Sequence, residues 1–105
     1  MAVKVLVERR VRRGYEEAVW EMLRDLRSQA VRIHGHIYSE TWRSVANPRV
    51  LVTLSTWASK EAWDAWANDP FRMKADERIN RMLVGASRVR IFEETAGPPL
   101  VIRKP

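Results

Sequence analysis

Trp57, Trp63 and Trp66 fall within ten positions of one another, and flat side chains that close together can wall a space for a flat, apolar ligand. Trp63 and Trp66 are three apart, so on a helix they project from neighbouring positions on one side. The competing reading is that tryptophans at helical spacing only fill the core. Other chemistry-bearing residues are few. Without cysteine there is no thiolate nucleophile, disulfide or thiolate metal site, and imidazole is limited to His34 and His36. Their H-G-H spacing ahead of a strand reads as solvated loop side chains, and no metal site is expected.

Arginine supplies 15 of the 19 basic residues in a chain of net charge +6, with a cluster at Arg9, Arg10, Arg12 and Arg13. Such a balance suits an anionic small ligand or a nucleic acid, although arginine also solubilises surfaces and sits at helix C-termini. No strand carries the basic-Gly-aromatic motif of an RNA-binding sheet, so nucleic acid is not an expected partner.

These side chains need elements to position them. A length of 105 residues suits one domain with a single core. No apolar run approaches the roughly 18 to 20 residues that cross a bilayer. The opening MAVKVLVERR alternates instead of forming a signal core, so the expectation is a soluble, cytoplasmic protein with no membrane partner.

Residues 3–11 have the period of a strand, with Val3, Val5 and Val7 on one face. After Gly14, apolar residues at steps of three and four predict an amphipathic helix ending near Ile33, with Gly35 as its stop and Trp20 at the flank of its apolar stripe. Residues 36–45 form a second strand, with Tyr38, Glu40 and Trp42 on one face and Ile37, Ser39 and Thr41 on the other. Turn chemistry at 46–49 joins it to a third strand, 50–57, whose poor alternation predicts burial on both faces. Ser59 caps a helix that stops near Asn68. Asp69 and Pro70 then open another, with Phe71, Ala75, Ile79 and Met82 along one side. A last strand spans 87–94. The domain is expected over residues 1–95, with 96–105 as an aperiodic tail.

This order predicts an α+β, ferredoxin-like βαββαβ protomer, a four-stranded antiparallel sheet with helices on one face. Large apolar side chains on both faces of the central hairpin point to a homodimer that buries the uncovered face.

The run GHIYSETWRSVANPRVLVTLSTWASKEAWDAW resembles the antibiotic biosynthesis monooxygenase domain family. It has the glycine before the second strand, the R-S-x-x-x-P hairpin, the Trp closing the third strand and the S-x-E-A-x-x-A helix. The resemblance covers residues 3 to 94 and implies a dimeric α+β barrel with a pocket between sheet and helices in each protomer. Some members oxidise polycyclic phenols or quinols with dioxygen and no cofactor; others degrade haem. The resemblance implies Trp66 as a pocket residue first, and Phe71 second. The haem branch wants an asparagine on the first strand and a histidine a turn after Phe71. Here the strand is VKVLVERRV and the position four after Phe71 is Ala75, which cannot ligate iron.

A cofactor-free oxygenation needs a flat wall, a proton acceptor and a charge that stabilises a phenolate. Trp63, Trp66, Phe71 and Tyr38 are the candidates for the wall that binds substrate. Arg72, Arg88 or Arg90 could stabilise the anion, and Glu40 or His36 could take the proton; Glu40, His36 and Arg72 are the catalytic candidates. The alternative function is a dimer that binds an aromatic or anionic metabolite without turning it over.

Overall fold

Val3, Val5 and Val7 alternate along the first strand, β1 (Val3–Arg10), and all three are buried against the helices, with Arg9 continuing the same inward series. In the computed structural model, which describes residues 1–95, β1 is followed by α1 (Glu16–Ala30), β2 (His36–Arg43), β3 (Val50–Trp57), α2 (Lys60–Ala67), α3 (Pro70–Asn80) and β4 (Arg88–Glu93). The 96–105 tail lies outside the described residues. The four strands form one antiparallel sheet in the order β2-β3-β1-β4, and the fold is the ferredoxin-like α+β arrangement.

The helices begin where local chemistry directs. The Ser59 hydroxyl accepts from the Ala62 amide to cap α2, and the Asp69 carboxylate accepts from the Phe71 and Arg72 amides to cap α3, with Pro70 in its first turn. Gly35, at φ +91°, has its carbonyl bonded to the Ala58 amide at 2.7 Å. A β-carbon built on it would stand 2.5 Å from that of Ala62. Only glycine lets the chain entering β2 come this close to the tryptophan helix.

The core lies between the sheet and α1, α2 and α3: the β1 valines, Val19, Leu23 and Leu26 of α1, Trp57, Trp63, Trp66, Ile79 and Leu83. In α3 the inward side is Arg72, Ala75 and Ile79. Ala75, Ile79 and Met82 pack inward as expected, whereas Phe71, expected with them, is 44% exposed and Arg72 takes the inward place in the first turn. On the sheet's other face, Leu6, Val52 and Leu54 are half-buried, while Tyr38, Trp42 and Phe92 are exposed. Strand β3 is thus most buried on the helix side, while on the opposite face Thr56 is buried and Val52 and Leu54 are half-buried, since among the described residues no helix covers that face. Among the described residues no helix is long and apolar enough to cross a membrane.

Candidate functional site

Trp63 and Trp66 leave α2 on its inward side and Arg72 leaves α3 three residues past the Asp69 cap. The three meet over the sheet. The Arg72 guanidinium lies 4.5 Å from the centre of the Trp63 ring and 5.9 Å from that of Trp66, close enough for cation–π attraction. Trp57, at the end of β3, meets Trp63 edge-on at 5.9 Å and is held by its indole N–H donating to Ser55 Oγ at 2.9 Å. Between this aromatic corner, the sheet and α1 lies a cleft that opens to solvent, with about 500 Å³ of empty space counting its open mouth.

The sheet floor of the cavity is hydroxylated: Ser39 and Thr41 of β2 lie opposite Ser55 and Thr53 of β3. Thr53 Oγ1 is buried with no hydrogen-bond partner among the described residues. A buried hydroxyl left unpaired costs stability unless something reaches it. Ser39 Oγ is 2.7 Å from His36 Nε2. The two sit on one face although three residues apart, because a bulge between His36 and Tyr38 shifts the pairing by one. His36 also packs edge-on against Trp57 at 5.1 Å. Burial, and then the positive charge of Arg27, lower its pKa from the usual imidazole value. A neutral ring protonated at Nδ1 can accept the Ser39 hydroxyl proton at Nε2.

The charged end is built from β1 and α3. Arg9 and Arg72 are 5% and 7% exposed, and both line the cavity. They share one carboxylate: Arg9 Nη2 donates to Asp76 Oδ1 at 3.4 Å and Arg72 Nε to Asp76 Oδ2 at 3.0 Å. Burial lowers the Arg9 pKa, and the neighbouring Asp76 charge opposes that without cancelling it. Arg27 adds a third guanidinium on the cavity wall, from the exposed side of α1.

Of the residues singled out by sequence, the structure therefore brings Trp63, Trp66 and Arg72 together, with His36 one hydrogen bond behind the wall. Tyr38 and Glu40 lie on the open sheet face, where the Tyr38 hydroxyl donates to Glu40 Oε2 at 3.1 Å. That bond and the Glu40 charge raise the Tyr38 pKa. Phe71 stands outside the cavity, on the solvent side of α3. Arg88 and Arg90 lie exposed on β4, facing the open side beside Glu8 and Leu6. Sequence reasoning missed Arg9, Ser39, Thr53 and Asp76. Arg9 carried a signal: an arginine continuing the Val3, Val5, Val7 series has to point inward. Among the described residues no three of His, Asp or Glu gather as a metal-holding group.

Comparison with known proteins agrees with this architecture. The family model described as antibiotic biosynthesis monooxygenase matches residues 2–75. A conserved protein from Methanosarcina mazei Go1 superposes with a TM-score of 0.86 at 15% identity, covering 90% of this chain and 94% of that one. A Mycobacterium tuberculosis protein gives 0.85 at 15% identity, covering 94% and 100%. A substituted form of SnoaB, a cofactor-independent oxygenase from Streptomyces nogalater, gives 0.82 at 13% identity, covering 94% and 98%. Identities this low speak for the fold alone. No curated protein matches the sequence.

Proposed function

The chain belongs to the antibiotic biosynthesis monooxygenase family, and from that footing we propose that it oxidises a flat phenol or quinol with dioxygen, without metal or flavin, in the cavity under Trp63 and Trp66. The observation that carries this reading is the juxtaposition of an aromatic wall, a buried cation and a proton acceptor: Trp63 and Trp66 with Arg72 stacked on them, and Ser39 hydrogen-bonded to His36. The similarity of fold to a cofactor-independent oxygenase adds support.

In this reading the phenol ring lies against the tryptophans and its hydroxyl donates to Ser39 Oγ, which passes a proton to His36 Nε2. His36, partly exposed, returns it to solvent. Arg72 stabilises the phenolate through the low-dielectric cavity. The electron-rich anion gives one electron to dioxygen, the radical pair joins as a peroxide anion at a ring carbon that bears hydrogen, and a proton from solvent makes it the hydroperoxide. Loss of water then leaves a carbonyl on the ring, so one oxygen atom ends in the product and the other in water. The protein's part is to hold the ring, take the proton and keep bulk water from the anion.

The open sheet face fits a second copy of the chain, a homodimer paired sheet to sheet. Tyr38, Glu40 and Trp42 then pack at the interface, and the half-buried Leu6, Val52 and Leu54 become core. A non-catalytic binder of an aromatic metabolite is the second reading, favoured by one feature: among the described residues no carboxylate, imidazole or amide side chain lines the cavity directly.

Titrating the protein with quinols and anthrone-type phenols while following tryptophan emission and oxygen uptake tests the proposal. Quenching with oxygen uptake, both lost in Trp66→Ala, supports the oxygenase; quenching without uptake leaves the binder; no quenching removes both.

A further inference from the structure

The cavity holds more positive charge than its own chain compensates. Period two along β1 carries Arg9 inward after Val3, Val5 and Val7, and the Asp69 cap starts α3 so that Arg72 falls on its buried side. Both guanidiniums are more than nine-tenths buried, yet among the described residues the one carboxylate they bond is Asp76. Arg9 makes a single side-chain hydrogen bond, long at 3.4 Å, from a group with five N–H donors. Its other donors are not sealed in the wall, since among the described residues the one fully buried side-chain polar atom without a partner is Thr53 Oγ1; they reach the open cavity, where a ligand's oxygens can accept from them. Thr53, on the floor across β1 from Val7 and one inward position from the Arg9–Leu51 pair, adds a buried hydroxyl with no partner. Among the described residues no acidic side chain lines the cavity to neutralise the excess.

We propose that Arg9, Arg72 and Thr53 form an oxyanion subsite at the buried end of the cavity, and that the substrate is an aromatic acid: a phenol or quinol whose frame carries a carboxylate. The inference rests on the oxygenase or binder reading above, in which the ring lies on Trp63 and Trp66. Arg72 joins the two parts, because the guanidinium stacked on the tryptophans is the one bonded to Asp76. Ring and carboxylate are therefore bound side by side. The carboxylate is ionised before it enters, so it is distinct from the phenol hydroxyl that Ser39 and His36 deprotonate. Asp76 is a positioning residue: its two oxygens fix the two guanidiniums, and their remaining donors turn toward the ligand.

Calorimetric titration at neutral pH with hydroxynaphthoate, its carboxamide and naphthol tests this on the intact protein. The acid should bind about tenfold or more tighter than either neutral analogue, the span of one charge-assisted hydrogen-bonded pair. Arg9→Met should bring the three within about twofold of one another, the acid losing the most affinity. The carboxamide comparison needs no variant, so it stands even where Arg9→Met fails to fold. Equal affinity of acid and carboxamide in the unaltered protein overturns the subsite and leaves the aromatic cavity standing. Failure of all three to bind or to quench the tryptophans overturns the cavity reading itself.

Discussion

Replacing Asp76 by asparagine should destabilise the protein more than any other single charge removal. Its carboxylate accepts from Arg72 at 3.0 Å and from Arg9 at 3.4 Å, and those arginine side chains are 8% and 5% exposed against 31% for Asp76. Removing one partner of a buried ion pair costs about 3–5 kcal/mol, because the other charge stays behind uncompensated. Here two charges stay behind, but Asp76 is near enough to the surface for water to reach the gap, which puts the expected loss at about 3 kcal/mol. With a urea slope of about 1.5 kcal/mol/M for a chain of this size, the unfolding midpoint falls by about 2 M at constant slope. Protein concentration is held fixed, since association would shift the midpoint by mass action. Arg9→Met should cost clearly less than Asp76→Asn, because it removes the surplus charge instead of the counter-charge. The double variant should recover part of the Asp76→Asn loss, with one orphaned guanidinium in place of two. An Asp76→Asn stability within about 0.5 kcal/mol of the parent, or an Arg9→Met loss equal to that of Asp76→Asn, refutes the charge accounting.

Gly35→Ala should cost about 2–4 kcal/mol in the same assay, since the new β-carbon meets that of Ala62 at 2.5 Å in a left-handed backbone; a loss below about 1 kcal/mol would mean the strand and α2 separate freely. His36 has a folded-state pKa below its ordinary 6.5, so between the two values the unfolded chain binds more protons and stability rises with pH. The contribution is fully present above pH 6.5 and is lost as pH falls through that window. His36→Gln should flatten that part of the profile, and an unchanged profile would show that His36 is not the group responsible. Oxygen uptake should fall on acidification across the same window and should drop in Ser39→Ala with little change in quenching, whereas parallel loss of quenching would make Ser39 a binding group only.

The element order was readable because strand alternation, the Ser59 and Asp69 caps and the breaks at Gly14 and Gly35 are local signals. The faces were harder. Alternation separated Tyr38, Glu40 and Trp42 from Ser39 and Thr41, but only the pairing of Ser39 with Ser55 and Thr41 with Thr53 decides which set meets the helices. The bulge at His36 breaks the period, so its place beside Ser39 could not be counted out along the strand. In α3 the apolar count favoured Phe71, yet the helix buries Arg72, because an arginine can stack its guanidinium on tryptophan while Asp76 one turn later answers its charge. Asp76 was invisible for a related reason: its second partner, Arg9, lies 67 residues away in sequence. Trp63 and Trp66 were legible both as core and as cavity wall, and they are both, buried to 5% exposure while lining the open space.

Cofactor-free oxidation in the tryptophan-lined cavity is tested by oxygen consumption with an anthrone in the presence of a metal chelator, compared between the parent protein and Trp66→Ala. One dioxygen should be consumed per anthrone lost, with no peroxide released, one atom of labelled dioxygen in the quinone product, and loss of the reaction in Trp66→Ala. Quenching of the tryptophans by the anthrone with no oxygen consumed above the uncatalysed rate would contradict cofactor-free oxidation and leave a protein that binds such rings without oxidising them.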